Sequence, residues 1–150
     1  TFRFATIFGV SPRMRLDLLV NDFTYRALFD RTVVLFESHF KRNYLHVKDA
    51  SNAFIHTIEN YSNMEGEPFN VGLSNANLSK LELCIEIKKE INSFQYVISE
   101  IGKDPDQRDY IVSNEKIEKT GFKPSVSVGQ GVKELIKGFQ VIRRNQFSNI

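Results

Sequence analysis

Short apolar runs alternate along the chain with longer stretches in which apolar residues recur at helical spacing. The runs that predict β-strands cover residues 2–8, 33–36, 44–47, 68–72 and 96–101. The stretches that predict helices cover residues 16–29, 49–61, 79–91, 114–120 and about 131–142. This alternation predicts an α/β protein in which the first strand and the strand around Phe69 belong to one parallel sheet.

Capping residues mark several of the predicted helix ends. Asp49 directly precedes an amphipathic stretch and is predicted to be its N-cap. Ser79 and Glu82 have the spacing of a capping box, and Gly121 is placed for a left-handed C-terminal cap. The helix after Asp49 is predicted to be a core helix with one apolar face, formed by Ala50, Ala53, Phe54, Thr57, Ile58 and Tyr61.

Composition is that of a globular domain with no strong charge preference. The 150 residues are 41% hydrophobic and 25% charged, and the net charge of +2 gives no reason to expect a nucleic-acid partner. The pair Arg143 and Arg144 is predicted to be a solvated helix end. The single cysteine, Cys84, cannot form an internal disulfide, so we expect a buried thiol and a reducing, cytoplasmic setting. No apolar run is long enough to cross a membrane, and no signal peptide is evident.

Several kinds of chemistry can be set aside from residue spacing. Histidines 39, 46 and 56 have no cysteine or carboxylate neighbours at ligand spacing, so no metal site is predicted. No Gly-x-Ser-x-Gly hydrolase elbow occurs. What remains is a set of basic residues on separate predicted loops, which would suit a phosphate-bearing ligand because cationic side chains bind phosphate oxygens. These residues are Arg13, Arg15, Arg42, Lys103 and Arg108.

Three motifs in order along the chain resemble one known family. The segment from Arg42 to Asp49, Arg-Asn-Tyr-Leu-His-Val-Lys-Asp, resembles the R-[DN]-[YF]-[ILV]-[HY]-V-x-D signature of the extended short-chain dehydrogenase/reductases, the NAD-dependent nucleotide-sugar epimerases and dehydratases. Residues 3–9 are similar to R-x-x-N-x-[YF]-G of the same family. The segment from Lys103, ending in Gly-Phe-Lys-Pro at 121–124, is similar to R-x-G-D followed by G-[WF]-x-P. The resemblance covers essentially the whole chain.

The resemblance implies a set of substrate-binding residues. Arg42 would bind the diphosphate of a nucleotide sugar together with a second cation, either Lys103 or Arg108. Thr6 takes the place of an asparagine that contacts the substrate in the family. The remaining implied contacts to the nucleotide are Arg15 and Leu16, with Leu35 and Phe36 lining the base pocket.

The same resemblance implies that the chain is one part of a larger enzyme. In the family, the glycine-rich dinucleotide fingerprint and the catalytic Tyr-x-x-x-Lys pair precede the strand that corresponds to residues 2–8. Gly129 and Gly131 do not follow a strand with fingerprint spacing and are interpreted as loop and helix-start glycines. We therefore expect no catalytic, cofactor-binding or metal residues in this chain, with NAD or NADP bound mainly by the remaining half.

The prediction is thus one unit, 1–150, the C-terminal portion of an extended short-chain dehydrogenase. Its last Rossmann strands would carry a small mixed α/β substrate-binding cap, and the dinucleotide-binding half would be absent. The full-length protein would be a nucleotide-sugar epimerase or 4,6-dehydratase and a possible homodimer, with no nucleic-acid or membrane partner. The 150 residues alone would be inactive. The alternative is a non-catalytic α/β binding or assembly module that lacks the dinucleotide half.

Overall fold

The structure, a computed structural model, describes residues 1–142, so Arg143 and Arg144 lie outside it. The strands are β1 (Phe2–Phe4), β2 (Thr6–Phe8), β3 (Thr32–Leu35), β4 (Lys41–His46), β5 (Phe69–Val71), β6 (Asn77–Ser79) and β7 (Gln95–Ile98). The helices are α1 (Leu19–Phe29), α2 (Val47–Glu59), α3 (Tyr61–Met64), α4 (Lys80–Glu90), α5 (Glu115–Glu118) and α6 (Val128–Val141). None of the helices in residues 1–142 has the length and apolar character that crossing a membrane requires.

Within residues 1–142 the strands form three small sheets, in which parallel pairing dominates. β1 pairs with β5, β2 with β4, and β3 with β7, each in parallel register, while β6 pairs antiparallel to β4. Parallel strands joined through helices confirm the predicted α/β class, including the pairing of the first strand with the Phe69 strand.

The apolar run 2–8 is two strands, so the prediction of one continuous strand is wrong. β1 ends at Phe4 and β2 begins at Thr6, with buried Ala5 between them. The Ala5 N–H donates to the Val71 carbonyl at 2.9 Å, which completes the β5 side of the ladder. The chain then continues beside β4, where Thr6 lies opposite Tyr44. A sequence pattern cannot show this change because both strands are apolar.

Two apolar clusters among the described residues stabilise the fold. The larger one lies between α1, α4 and α6 and the strands β2 to β4, and it includes Phe8, Val20, Leu83, Phe94 and Leu135. The smaller one packs α2 and α5 against β1 and β5. Cys84 is fully buried in the larger cluster, as predicted, and burial raises the pKa of its thiol to about 12.

α2 begins earlier than predicted and has a different N-cap. The helix starts at Val47, and its N-cap is His46, whose Nδ1 accepts from the Lys48 N–H at 3.3 Å. The prediction that Asp49 is the N-cap is therefore wrong. Asp49 is buried in the first turn and accepts from the backbone N–H groups of Ser125 and Val126 at 3.1 and 2.9 Å. Its carboxylate fixes the loop before α6.

The outer face of α2 is exposed, which corrects the prediction of a fully buried apolar face. Ala50 and Ala53 are buried, but Phe54 is 54% exposed, Ile58 is 77% exposed, and Tyr61 lies beyond the helix end in α3. The Phe54 ring contacts Phe2 of β1, with centroids 5.2 Å apart. Within residues 1–142, β1 hydrogen-bonds only to β5, so its other edge has no strand neighbour. An apolar surface therefore runs from α2 onto an open strand edge.

The other predicted helices begin and end within a few residues of the predicted positions. The Ser79 and Glu82 capping box is formed at the start of α4, and Gly121 has the left-handed φ of 94° that its predicted cap requires. Asn114 precedes α5 without a side-chain cap hydrogen bond. α1 starts at Leu19, three residues later than predicted, and residues 16–18 form bends before it.

Candidate functional site

A cavity of about 410 Å³ lies where the chain passes from β1 to β2, against the start of α1 and the loop before α5. Its wall is formed by Phe4, Ala5, Thr6, Ile7, Arg15, Asp17, Leu18, Leu19, Arg42, Asp106, Arg108 and Tyr110. These residues come from four separate parts of the sequence. Three arginines against two aspartates leave the wall with one net positive charge. A cavity of this size and charge suits an anionic small molecule.

Arg42 is the buried cation of the cavity, with only 2% of its surface exposed. One guanidinium nitrogen, Nη1, donates to the Arg108 carbonyl. The other, Nη2, lies 2.8 Å from Asp106 Oδ1 but has no aligned hydrogen-bond acceptor. The guanidinium carbon is 5.4 Å from the centre of the Tyr110 ring. A buried N–H that lacks an acceptor beside a cavity has the capacity to donate to a ligand oxygen.

Asp106 joins the two arginines at the mouth of the cavity. Its carboxylate accepts from Arg108 Nε at 2.7 Å and Nη2 at 2.6 Å, a bidentate pair, and contacts Arg42 at 2.8 Å. The hydrogen bonds from Arg108 lower the pKa of Asp106 well below its usual range, with burial opposing them and the charge of Arg42 adding to them. Asp106 is therefore ionised at neutral pH and holds Arg108 next to Arg42.

Four of the predicted site residues line this cavity. Thr6, Arg15, Arg42 and Arg108 are all in its wall. Arg15 is also paired with Asp17, at 3.0 Å from Nε to Oδ1. Between the two cations that the sequence left open, the structure favours Arg108 as the neighbour of Arg42.

The other four predicted residues do not line the cavity. Lys103 is exposed outside it, and Leu16 packs against the larger apolar cluster. Leu35 is 1% exposed in the core, and Phe36 packs near Gly102. The predicted base pocket is therefore not formed by Leu35 and Phe36 at this cavity. Their contact with a nucleotide base stays a prediction.

Sequence reasoning missed Asp106, Tyr110 and Asp17 as parts of the wall. The spacing of Asp106 and Arg108, two residues apart on a charged loop, is the one pattern that could have indicated their pairing. Nothing in the sequence indicates Tyr110, because tertiary contacts place it beside β4: its N–H donates to the Lys41 carbonyl, and its ring lies near the Arg42 guanidinium.

A second cavity, of about 250 Å³, adjoins the first and shares Ile7, Arg15 and Leu18 with it. Arg13 is in its wall, so this predicted loop cation also faces a cavity. Buried Asn21 stabilises the wall that the two cavities share. It accepts from the Gly9 N–H at 3.1 Å and donates to the Arg15 carbonyl at 2.8 Å. The two cavities together offer room for a ligand with two parts.

The sequence contains one Tyr-x-x-x-Lys spacing, Tyr44 to Lys48, which the structure excludes as a catalytic pair. Tyr44 is fully buried in β4 and Lys48 is exposed at the start of α2. Burial raises the pKa of the Tyr44 hydroxyl far above its ordinary value, so it cannot exchange protons near neutral pH. Tyr44 lies in a buried strand and Lys48 lies on an exposed helix start, so the two side chains do not share one environment.

Gly129 and Gly131 do not form a glycine-rich dinucleotide loop. Gly129 and Gly131 lie in the first turn of α6 and not in a loop after a strand. A Cβ at Gly131 would come 2.3 Å from the Phe8 ring, so an aromatic side chain already fills the space beside this glycine. Nor does any group of three or more histidine, cysteine, aspartate or glutamate side chains in residues 1–142 come together as a metal site requires.

His46 makes the stability of the fold depend on pH. Burial lowers the pKa of its imidazole, although the carboxylates of Glu134, 3.3 Å away, and Asp49 oppose the shift. An unfolded histidine has a pKa of about 6.5, so the unfolded chain binds the proton more readily than the folded chain. The free energy of unfolding should therefore fall as pH drops below about 6.5, and level off below the folded pKa.

This expectation can be measured by urea unfolding at pH 7.5 and pH 5.5. His46→Asn keeps a side-chain acceptor at the N-cap and removes the titration. The wild type should lose more stability than the variant between the two pH values. Equal losses would show that His46 does not contribute to the pH dependence.

Comparison with known proteins identifies the fold. No protein-family model matches the chain. UDP-glucose 4-epimerase from Thermotoga maritima, solved with UDP-glucose, has a TM-score of 0.72 and 24% identity over 93% of this chain and 45% of that chain. UDP-glucuronic acid 4-epimerase from Bacillus cereus, in complex with UDP-glucuronic acid and NAD, has a TM-score of 0.71 and 19% identity over 93% of this chain and 44% of its own.

A dehydratase matches equally well. dTDP-glucose 4,6-dehydratase from Bacillus anthracis, in complex with NAD, has a TM-score of 0.71 and 20% identity over 97% of this chain and 45% of that chain. The chain thus spans a little under half the length of the solved structures that it matches. At these identities the likeness is one of fold. The chain has part of the Rossmann-like fold of the nucleotide-sugar epimerases and dehydratases.

Proposed function

We propose that this chain is the substrate-binding portion of an NAD(P)-dependent nucleotide-sugar epimerase or 4,6-dehydratase, and that it binds the diphosphate of a nucleotide sugar. The observation that carries the proposal is the buried guanidinium of Arg42, which lines a cavity and has one nitrogen without an aligned acceptor. The fold likeness supports it, because several of the similar structures contain UDP-sugars or NAD.

In this proposal Arg42 and Arg108 bind the diphosphate from two sides. Asp106 already holds the two guanidinium groups next to each other. A diphosphate ester brings two negative charges to a wall with one net positive charge, and guanidinium groups bind phosphate oxygens through short charge-assisted hydrogen bonds. The sugar would extend into the adjoining cavity, past Arg15 and Ile7, which both cavities share.

The catalytic groups and the nicotinamide cofactor would come from residues outside this chain. One edge of β1 has no strand neighbour within residues 1–142, and it lies beside the exposed apolar face of α2. Both features support this part of the proposal, because an unpaired strand edge beside exposed apolar side chains is an ordinary site for further sheet pairing. Ala5 and Thr6, next to that edge, line the cavity. A diphosphate bound in this cavity would therefore lie close to the added half. The cytoplasmic setting and the homodimer stay predictions.

Calorimetric titration of the 150-residue chain tests the proposal. UDP-glucose and dTDP-glucose should bind, uridine should not, and affinity should fall as salt rises because the contacts are ionic. NAD should bind weakly at most, and no sugar product should form when UDP-glucose and NAD are incubated with the chain. Equal affinity for uridine and UDP-glucose would overturn the diphosphate site. Formation of a sugar product by this chain alone would overturn the proposal that the catalytic groups come from residues outside it.

A non-catalytic binding or assembly module is the second candidate, and the exposed Phe54 and Ile58 of α2 are the observation that favours it. Such a module would have no need for a cavity cation. The same titration separates the two, because only the first candidate requires affinity for a nucleoside diphosphate.

A further inference from the structure

Lys80, the first residue of α4, is almost completely buried, with 2% of its surface exposed. Its ammonium group donates to Asp104 Oδ2 at 2.6 Å and to the Phe36 carbonyl at 2.8 Å. The same group lies 5.5 Å from the centre of the Phe40 ring. A buried lysine is stable only when its charge is paired and its protons are hydrogen-bonded, and here both conditions are met.

Asp104, the partner of Lys80, lies on the 102–110 loop, which also carries Asp106 and Arg108 of the cavity wall. Asp104 uses one oxygen for Lys80 and the other, Oδ1, to accept from the Asp106 N–H at 2.8 Å. Its own N–H donates to Glu37 Oε2 at 2.8 Å. Two residues further along, the Asp106 carboxylate contacts both Arg42 and Arg108. A continuous series of polar contacts therefore leads from Lys80 to the cavity.

Residues 99–114 contain neither helix nor strand, so individual contacts fix the course of the loop. Lys41 and Arg42 of β4 hold its second half, from Arg108 to Tyr110. Lys80 and Glu37 hold its first half, at Asp104. Replacing a buried ion pair by apolar residues often leaves a protein equally stable or more so, which means that packing alone gives no reason for a lysine at this position. The need to hold the 102–110 loop in one position does give a reason for a lysine here.

We propose that Lys80 is a positioning residue for the anion site: through Asp104 it fixes the 102–110 loop so that Arg108 and Asp106 face Arg42. This inference rests on the proposed function, because the loop matters for binding only if the cavity takes a diphosphate. It adds a residue outside the cavity wall whose effect on affinity is indirect.

The test uses Lys80→Met, which keeps the volume and removes the charge. Lys88→Met is the matched control, because Lys88 lies on the same helix and contacts Gln95 and the Tyr96 ring, away from the loop. Backbone hydrogen exchange is followed for the Asp106 and Arg108 amides and for the amides of α4 and α6. Affinity for inorganic pyrophosphate is measured by calorimetry on the same samples.

Lys80→Met should speed exchange at Asp106 and Arg108 while α4 and α6 exchange at wild-type rates. If the released loop adopts the binding position about a tenth of the time, the dissociation constant for pyrophosphate rises about tenfold. Lys88→Met should change neither quantity. Asp104→Asn should act like Lys80→Met, and the double variant should be no worse than either single one, because both remove the same contact.

Two results would overturn the inference. Unchanged loop exchange in Lys80→Met, with pyrophosphate still bound by the wild type, rejects this inference alone. Faster loop exchange with unchanged pyrophosphate affinity shows that the loop position does not serve binding, which also rejects it. If the wild type binds neither pyrophosphate nor UDP-glucose, the proposed function fails and the binding role of Lys80 fails with it.

Discussion

Replacing Arg42 by methionine should weaken the binding of a nucleoside diphosphate sugar by about 1.5–3 kcal/mol, or about ten- to more than a hundredfold. Methionine fills much of the volume of the buried side chain, so the loss reports the guanidinium contacts and not an open cavity. Asp106 keeps its bidentate partner Arg108, which leaves no carboxylate unpaired. Titration calorimetry with UDP-glucose measures the change directly.

Arg26→Met is the matched control for this experiment. Arg26 also pairs with an aspartate, Asp22, at 2.8 Å, but it lies on α1 and does not line the cavity. Its loss should leave the dissociation constant within about twofold, since a surface ion pair contributes at most about 1 kcal/mol even to stability. An unchanged dissociation constant for Arg42→Met would remove Arg42 from the binding site.

Gly72→Ala should destabilise the fold by about 2–5 kcal/mol, from steric overlap and a disturbed hydrogen-bond pair. A Cβ at Gly72 would come 1.8 Å from Asn43 Oδ1 and 2.9 Å from Asn114 Oδ1, and both asparagines are buried. Asn43 cannot move away freely, because it donates to the Leu73 carbonyl at 2.8 Å and accepts from the Leu73 N–H at 3.2 Å. Urea unfolding at neutral pH measures the loss.

Gly129→Ala controls for the general effect of replacing glycine. Gly129 lies in the first turn of α6, and a Cβ there would meet no heavy atom within 4 Å. Alanine favours the helix over glycine by up to about 1 kcal/mol, so this variant should be as stable as the wild type or more stable. Equal stability of Gly72→Ala and Gly129→Ala would mean that the backbone at Gly72 does not approach Asn43 closely.

The α/β class could be predicted from the sequence because the periodicity of apolar residues changes along the chain wherever strand gives way to helix. Two of the predicted caps could also be predicted from local residues. The capping box of Ser79 and Glu82 needs only residues three positions apart, and the structure confirms it. Gly121 is a similar case, since a positive φ at a helix end is a local property of the backbone.

Features set by tertiary contacts could not be predicted from local patterns. Asp49 has the chemistry of an N-cap, but the loop at Ser125 and Val126 uses its carboxylate instead. Phe54 and Ile58 have the spacing of a buried stripe, yet within residues 1–142 they remain exposed. Spacing indicates that a helix has an apolar face and does not say what covers it.

In the candidate site, too, one part could be predicted from local residues and another part could not. Arg42 could be singled out from its motif, but its neighbour could not be chosen, because Lys103 and Arg108 lie on one loop that has no strand or helix period. The structure favours Arg108, through the contacts of Asp106. The anchoring of that loop by Lys80 joins residues 24 positions apart, and no pattern in the sequence indicates such a pair.

The most direct test of the diphosphate site is an NMR titration that follows the arginine side-chain Nε–Hε signals of the chain as UDP-glucose is added. The signals of Arg42 and Arg108 should shift together and saturate with one dissociation constant, while the signal of Arg26, away from the cavity, stays in place. Saturable binding that leaves Arg42 and Arg108 unshifted, or no binding of UDP-glucose at all, would contradict the assignment of this cavity as a nucleotide-sugar site.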